Sequence, residues 1–557
     1  MPTPNLNSTF DSGAVDTGSC DTNAFVLPLE NQTPKHLPNQ PTSGLNEITE
    51  SGSISLNQLQ EQANQGESFL SSVVLLLSLT VAQKAIGFIR AIVVCRLLPA
   101  EEMGLWAMVS SILTTILPLV LLSIPACFGR YFEHYRTRSQ LRGFIWQASL
   151  ICLGLLCLGE FLLITFRHSI ATYTLGTPDL AYMIVFCAIA VIPFAGFSFC
   201  TEIMTALRYS KLTTVGYFIN GMVLSVLAIS FLIFIAADAK SMLLAFGLSY
   251  LVALAWLGSR LWIRLQQIPP NVEALPVVNT WVGMFPVIII FWLNDFMGNM
   301  FYMSDRFMLV NLVPGDTAHV MNQIGNYESG HIIPTLISAV TLLIGKTLMP
   351  YLAKLWEAGN QAAVSQQTNL SIKAVGFCSI IGGLVFLPMS GFLFEKLFHG
   401  KYDGGAAILP YIVFFYICSG TSALVMNYFW CVQRASWAVL SLTAGLGINI
   451  AVNYALVPSM GITGAAIGTV FGVICQLSAM LILATRFGLK FDLGVLLLGL
   501  SSSLLLLDSR YAILWIIVAI GMMFIPGVFN QQDRKSLNLA MTTIMDHPKL
   551  SRLRRAK

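Results

Sequence analysis

The fold follows from a stretch near the start of the chain, residues 81–104, which reads VAQKAIGFIRAIVVCRLLPAEEMG. It begins inside an apolar segment, residues 69–94, that is long enough to cross a bilayer, because a membrane helix needs about 20 apolar residues. Lys84 falls near the middle of this span, where an ionisable side chain costs at least ~2.5 kcal/mol and normally faces a bundle interior or a water-filled cavity. Arg90 lies nearer the exit, where it can snorkel. The stretch therefore predicts a membrane helix whose Lys84 faces protein or a cavity.

The composition of the whole chain extends this prediction. Of 557 residues, 55% are hydrophobic and 10% charged, against about 25% charged in a soluble chain. We therefore predict an all-α polytopic membrane protein. The net charge of +4 is small and scattered over loops, so no nucleic-acid partner is expected. The cysteines lie almost all inside apolar segments and form no CxxC pair, which indicates packing rather than a metal site or disulfide framework.

About fourteen apolar segments reach spanning length. They are predicted at residues 69–94, 104–127, 143–166, 180–200, 213–236, 241–263, 281–303, 326–348, 370–393, 406–430, 437–457, 462–485, 491–507 and 511–528.

Two faint echoes relate the halves of the chain. LLPAE at 97–101 follows the first span, and LVPGD at 312–316 follows the seventh. RYS at 208–210 and RAS at 434–436 repeat nearly the same offset. Two six-helix halves of parallel topology would produce this pattern, since an even number of spans returns the chain to the same side.

The predicted organisation places these spans in two lobes. Its parts are a disordered cytoplasmic tail at 1–67, an N-terminal lobe (spans 1–6) at 68–265, a linker at 266–280, a C-terminal lobe (spans 7–12) at 281–486, a last pair of spans at 487–528 and a basic cytoplasmic tail at 529–557. The first tail is rich in Asn, Ser, Thr, Pro and Gln and cannot bury enough apolar surface to offset its ordering entropy.

Orientation follows from cations, which are retained in short cytoplasmic loops. With the N-terminus inside, the inner loops hold more Lys and Arg than the outer loops; Arg130, Arg142, Arg208 and Lys373 are among the inner ones. Both ends are therefore predicted to be cytoplasmic, in a multi-pass protein of the cell inner (plasma) membrane. The chain does not start like a secretory signal peptide.

No feature predicts an enzyme, a cofactor or a metal. Gly345-Lys346-Thr347 resembles the end of a phosphate-binding loop, but Val340 stands where the first glycine is needed and the surroundings are an apolar span. The expected catalytic, cofactor and metal residues are therefore none.

Polar residues inside spans are the candidate site. Asp295, Asn299, Tyr302 and Arg306 recur along the seventh span at helical spacing and so share one stripe, which should face protein or a cavity. The eighth span carries Glu328 and His331. Burial in hydrogen bonds between helices is the alternative to a functional role, with about equal weight for Asp295 and His331. On the first span, Lys84 and Arg90 are about 120° apart and form no single stripe.

Several stretches together resemble the polysaccharide-export branch of the MOP flippase superfamily, which includes Wzx-type O-antigen flippases. They are GFIRAIVVCRLLPAEEMGLWAM at 87–108, the Asp305-Arg306 pair, YESGHIIP at 327–334, MPYLAKLWEAG at 349–359 and NYALVPSMGITGAAIGTVFG at 453–472.

The resemblance implies two lobes around a V-shaped cavity, alternating access, and isoprenoid-diphosphate-linked sugars as substrate. Relatives that flip lipid II carry a basic residue, two others and then Gly-Phe-x-Arg on the first helix, a pattern that Lys84, Gly87, Phe88 and Arg90 match. Their eighth helix carries an arginine where this chain offers Glu328 and His331. This departure argues against lipid II itself as the substrate.

The hypothesis is therefore a flippase for lipid-linked oligosaccharide. The substrate-cavity residues are Lys84, Arg90, Asp295, Asn299, Tyr302, Arg306 and His331: the cations would attract the diphosphate, and the others would hydrogen-bond sugars. Membrane potential, or coupling to H⁺ or Na⁺ through Asp295, Glu328 or His331, would drive transport. Expected partners are the glycan substrate and its polymerase or glycosyltransferase machinery.

Two other classes compete with the flippase. A MATE-type drug/cation antiporter would share the two-lobed architecture and bind its ion at a carboxylate such as Asp295, but a central Lys84 disfavours a cationic cargo. A glycan polymerase or ligase usually needs a sizeable outer loop with catalytic residues, and the sequence has none.

Overall fold

A computed structural model describes residues 78–271 and 275–506, together with 517–518, 520–521, 528–529 and 533. Apart from those last positions, the predicted tails at 1–67 and 529–557 and the predicted span at 511–528 lie outside the described residues. The division into lobes stays a prediction.

The described chain is built from helices. They are α1 (Ser78–Leu97), α2 (Ala100–Leu121), α3 (Phe128–Thr137), α4 (Leu141–Thr165), α5 (Arg167–Leu175), α6 (Ala181–Ala206), α7 (Ser210–Phe234), α8 (Ala239–Gln266), α9 (Val277–Leu312), α10 (Thr317–Ile332), α11 (Thr335–Glu357), α12 (Gln361–Phe386), α13 (Ser390–Phe392), α14 (Asp403–Cys431), α15 (Ala435–Met460), α16 (Ile462–Arg486) and α17 (Leu493–Ser501). Short 3-10 turns occur at Ile124–Cys127, Pro178–Leu180 and Ser502–Leu506, and a π-helical turn at Leu393–Leu397.

Eleven helices of the described chain are long and apolar enough to cross a membrane, and a shorter apolar stretch follows at Leu493–Leu506. The all-α polytopic membrane fold is therefore confirmed. Large apolar side chains remain exposed along these helices, such as Phe161 on α4 and Phe234 on α7. Hydrocarbon rather than water must cover such surfaces, because a soluble protein rarely exposes large contiguous apolar patches.

The predicted eighth span, 326–348, is not one continuous helix. α10 ends at Ile332, and α11 begins at Thr335 after Pro334. A proline has no N–H to donate to the preceding turn, and tighter bonds replace the α-helical pattern here: Ile337 N donates to Pro334 O at 2.9 Å. The seventh span is longer than the predicted 281–303, since α9 has 36 residues.

Small residues allow α15 and α16 to pack closely. A Cβ atom added at Gly468 would lie 1.9 Å from Asn453 Oδ1, and one added at Gly472 would lie 2.7 Å from Asn449 Cβ. This is the close approach that regularly spaced glycines permit between membrane helices. It brings the two asparagines of α15 against α16.

Lys373 differs from its expected place in an inner loop. It lies within α12, its side chain is fully buried, and its ammonium donates to Asp492 at 2.6 Å and to Asp533 at 2.8 Å. A buried cation requires such partners, because desolvation of an unpaired charge costs several kcal/mol. The ion pairs therefore fasten residues beyond α16 to α12.

Candidate functional site

A cavity of about 360 Å³ lies where α2, the 3-10 turn after it, α6 and α9 meet. Its shape depends on how α2 ends. Leu122 and Ser123 both adopt left-handed backbone angles, with φ of 45° and 47°. Such angles are uncommon for residues other than glycine and mark strained positions. They interrupt the helix and bring Ser123 to the cavity wall.

The predicted stripe on α9 supplies much of the polar lining. The polar lining residues are Ser123, Ser198, Glu202, Asn294, Asp295, Asn299 and Tyr302. The Asp295 carboxylate accepts hydrogen bonds from Ser123 and, at 3.3 Å, from Asn294 Nδ2. Asn299 Nδ2 donates to the backbone oxygen of Asp295 at 2.9 Å, and the Tyr302 hydroxyl lies 2.7 Å from Ser419 Oγ on α14. Three of the four stripe residues therefore share one cavity.

The ionisable groups that line this cavity are carboxylates. Asp295 and Glu202 are both lining residues, and the lining contains no Lys or Arg. Carboxylates, amides and hydroxyls accept and donate hydrogen bonds to neutral hydroxyl groups. The same carboxylates would attract a cation and repel a phosphate. The cavity itself therefore suits a hydroxylated or cationic group rather than a diphosphate.

A second polar cluster is buried between α9, α10, α15 and α16, with the Asp305 carboxylate at its centre. That carboxylate accepts from Tyr327 Oη at 2.6 Å, Asn449 Nδ2 at 2.9 Å and Asn453 Nδ2 at 2.6 Å, and also from the Thr469 hydroxyl. All five residues are buried. Among the described residues Asp305 forms no ion pair.

This cluster has the composition of a site for a hard cation, which takes oxygen ligands. Its carboxylate is buried and surrounded by neutral groups, and burial of an uncompensated charge costs several kcal/mol. Asn453 Oδ1 is buried and accepts no hydrogen bond within the described part of the chain. Asn453 turns its Nδ2 to Asp305 and its Oδ1 toward Gly468, so a cation beside the carboxylate would need this amide to rotate.

Arg306, next to Asp305, belongs to a buried ionic network. Its Nε donates to Glu328 Oε2 at 3.0 Å, Nη2 makes a second bond to the same oxygen, and Nη1 donates to Tyr302 O at 2.6 Å. His331 Nδ1 lies 3.3 Å from the Tyr416 hydroxyl, whereas His331 Nε2 has no partner within the described chain. The structure therefore pairs Arg306 with Glu328 rather than placing it in the cavity wall.

The sequence of this chain matches a known protein family. A family model described as "Polysaccharide biosynthesis protein" matches residues 69–356, just over half of the 557-residue chain. The chain belongs to this family. An uncharacterized membrane protein of Methanocaldococcus jannaschii is 27% identical over 157 residues, a match that covers 27% of this chain and 30% of that relative's length.

Solved structures resemble the fold of this polysaccharide biosynthesis protein. The lipid II flippase MurJ in an inward closed conformation superposes with a TM-score of 0.59 at 12% identity, covering 81% of this chain and 97% of that one. An inward-facing multidrug resistance MATE transporter of the MOP superfamily gives 0.58 at 12% identity, covering 76% and 98%. The family model and these likenesses of fold together support the predicted MOP flippase superfamily, and the fold is the one that these transporter structures share.

The two cations of the first span lie outside the cavity wall. Lys84 and Arg90 are on α1, Lys84 with an exposed and Arg90 with a half-buried side chain, and neither lines the cavity described above. Their role in binding a diphosphate stays a prediction. α1 packs beside α7, since a Cβ atom on Gly221 would lie 3.2 Å from Gln83 Cγ.

The sequence interpretation missed Asp305 as a site residue. Asn449 and Asn453, one turn apart on α15, both donate hydrogen bonds to it from the neighbouring helix. The available signal was the combination of an aspartate inside one span with two amides one turn apart inside another. Only the packing of α15 against α9 joins them.

Proposed function

We propose that this protein is a flippase that moves isoprenoid-diphosphate-linked oligosaccharide from the cytoplasmic to the outer leaflet by alternating access. The carrying observation is a polar cavity of about 360 Å³ inside an otherwise apolar helix bundle. Sugar hydroxyls and a diphosphate cannot cross hydrocarbon unaided, since each unsatisfied polar group costs several kcal/mol. A cavity open to one side at a time removes that cost while the isoprenoid tail stays in lipid.

The charges of the described residues support separate places for the two parts of the substrate. The sugars would enter the cavity, where Asp295, Asn299 and Tyr302 offer hydrogen bonds. The diphosphate would stay with the cations of α1, Lys84 and Arg90, away from the cavity carboxylates. Arg306 and His331 would act from the neighbouring ionic network, because Arg306 must leave Glu328 before it can hold a phosphate.

Transport would be driven by an ion gradient or by the membrane potential. Two negative charges that leave an inside-negative cell gain about 5 kcal/mol per 100 mV. For H⁺ or Na⁺ coupling, Asp295, Glu328 and His331 remain candidates, and we add Asp305. Glu328 is already neutralised by Arg306, whereas Asp305 forms no ion pair among the described residues, which favours it as the Na⁺ site.

The proposed setting is the cell inner (plasma) membrane, with both termini cytoplasmic. The product would feed the synthesis of a surface polysaccharide such as a lipopolysaccharide or exopolysaccharide. A glycan polymerase or glycosyltransferase would then act before or after this step, because a flippase itself makes no glycosidic bond.

Lipid extracts from cells that lack the protein test this proposal. A polyprenyl-diphosphate oligosaccharide should accumulate on the cytoplasmic face, and the wild-type protein should reverse the accumulation. Lys84→Ala should fail to reverse it. Lys211→Ala, which removes another exposed cation at the start of α7, is the matched control and should restore export. Normal export by a correctly inserted Lys84→Ala variant would contradict the capture role of Lys84.

A MATE-type antiporter is the second candidate, and the acidic cavity favours it. The carboxylates of Asp295 and Glu202 in its lining would suit an organic cation as cargo. Deletion should then leave lipid-linked glycans unchanged and make cells sensitive to cationic drugs. That pair of results would replace the flippase by the antiporter.

A further inference from the structure

The C-terminal end of α1 meets a distant segment, residues 393–402, that precedes α14. Arg96 Nε donates to Leu397 O at 2.7 Å, and Arg96 Nη2 donates to Lys396 O at 3.1 Å. In return, Lys401 Nζ donates to Arg96 O at 2.6 Å. Each segment therefore supplies a cation to the backbone of the other.

The acceptors of these bonds are carbonyls at helix ends. The last four carbonyls of a helix lack intrahelical partners and carry the negative end of the helix dipole. Arg96 O belongs to the last turn of α1, and the oxygens of Lys396 and Leu397 end the π-helical turn. The contact is thus a reciprocal capping of two helix ends by two cations, with no carboxylate involved.

An apolar plug lies directly beneath the two caps. Cys95, Leu98, Phe398 and Tyr402 are fully buried there in one cluster that also contains Ile332 and Ile333 at the C-terminal end of α10. The Tyr402 hydroxyl donates to Leu98 O at 3.1 Å. The plug therefore joins α1 and α2 to α10 and the segment before α14.

Two glycines continue this contact along α2 and α10. A Cβ atom on Gly104 would lie 1.8 Å from Met321 O, and one on Gly325 would lie 1.9 Å from Ala100 O. These helices belong to different predicted lobes, and such backbone contact leaves no passage between them. α2 and α10 are therefore closed against each other at this end.

We propose that Arg96, Lys401 and Tyr402 are gating residues: their capping bonds hold this mouth shut and must break each time the transporter opens there. The inference rests on the proposed alternating access and, through the predicted topology, assigns the mouth to the outer face. The three residues touch neither the cavity nor the cargo. They act by positioning the two lobes.

Cys95 is a built-in reporter of this gate. Its side chain is fully buried and hydrogen-bonds with Tyr402 while the mouth is closed, so it should react with a thiol reagent only when the mouth opens. Cys187, fully buried on α6 away from the plug, reports general unfolding. The full-length protein in inside-out and right-side-out vesicles is treated with a membrane-impermeant maleimide, and each cysteine is followed by peptide mass spectrometry. No substrate is needed, so the result does not depend on the identity of the cargo.

Arg96→Gln and Lys401→Gln should each raise the rate of Cys95 modification from the outer side by about tenfold, since loss of a capping cation favours the open state. Cys187 should stay unreactive. Lys401→Arg should behave as wild type, because it keeps the charge and the donor. Arg167→Gln is the matched control, since the side chain of this half-buried arginine donates to Ile164 O at the end of α4, three residues back in the chain.

Unchanged Cys95 reactivity in both glutamine variants would overturn the proposal, as would faster modification from the inner side. If a glutamine variant exposes Cys187 as well, the protein has unfolded and that variant cannot test the gate. Tyr402→Phe then provides the test, because it removes a single hydroxyl. Faster modification of Cys95 alone in Tyr402→Phe supports the gate, and an unchanged rate refutes it. A working gate with normal glycan export in deletion cells would instead refute the proposed cargo.

Discussion

Asp305→Asn removes the charge of the buried carboxylate while keeping nearly the same shape. One side-chain oxygen remains and can still accept from Asn449 and Asn453. The new amide would face the hydroxyls of Tyr327 and Thr469, which can rotate and accept instead of donate. We therefore expect the variant to fold.

The change in the free energy of unfolding follows from these hydrogen bonds. A hydrogen bond to a charged group contributes ~1.5–3 kcal/mol and a neutral one ~0.5–1.5 kcal/mol, so four weakened bonds cost about 4 kcal/mol. Relief from burying a charge returns several kcal/mol. The net change without a bound ion should stay within about 3 kcal/mol of zero. A cation at one hundred times its Kd adds about 2.7 kcal/mol to the wild type, and the variant should lose this gain.

Thermal unfolding of the purified protein measures both the stability change without a bound ion and the stabilisation by a bound cation. The midpoint is compared in sodium chloride and in choline chloride at equal ionic strength. The wild type should unfold at a higher temperature in sodium, and Asp305→Asn should not respond. Asp295→Asn, which neutralises the cavity carboxylate, is the control and should keep the sodium response. A full sodium response in Asp305→Asn would refute the ion site, and no response in the wild type would refute sodium coupling.

Three further changes test the packing of the polar groups. Glu328→Gln leaves Arg306 buried without its counter-charge and should cost ~3–5 kcal/mol of folding stability. The unfolding midpoint should fall, and the double variant that also carries Arg306→Met should regain part of the loss. Gly325→Ala places a Cβ atom 1.9 Å from a backbone oxygen of α2 and should cost ~1–3 kcal/mol by overpacking, whereas Gly382→Ala, with nothing within 4 Å, should leave the midpoint unchanged. Lys373→Met should cost ~3–5 kcal/mol because it strips the buried Asp533 and the half-buried Asp492 of their cation; a midpoint like that of the wild type would contradict the burial of this ion pair.

Part of the candidate site was accessible from helical periodicity. Residues spaced at i, i+4 and i+7 share one face of any helix, so the stripe of Asp295, Asn299 and Tyr302 could be predicted and does line a cavity. Arg306 continues the same stripe, yet it bonds to Glu328 on α10. Periodicity states which residues share a face, but the element packed against that face decides what each of them contacts.

The sequence by itself determined an all-helical membrane protein and the approximate position of most spans. These properties are local, because about 20 consecutive apolar residues must form a helix wherever hydrocarbon leaves the backbone no other hydrogen-bond partner.

The tertiary structure decided which polar groups meet. Asp305 bonds to Tyr327, 22 residues away, and to Thr469, 164 residues away, and Arg96 caps a helix end about three hundred residues further on. From the sequence, Lys373 is expected in a loop, but in the structure it is buried and paired with two distant aspartates. Such partners depend on how helices far apart in the chain pack side by side, since a buried charge is tolerated only where that packing supplies its counter-charge or hydrogen bonds.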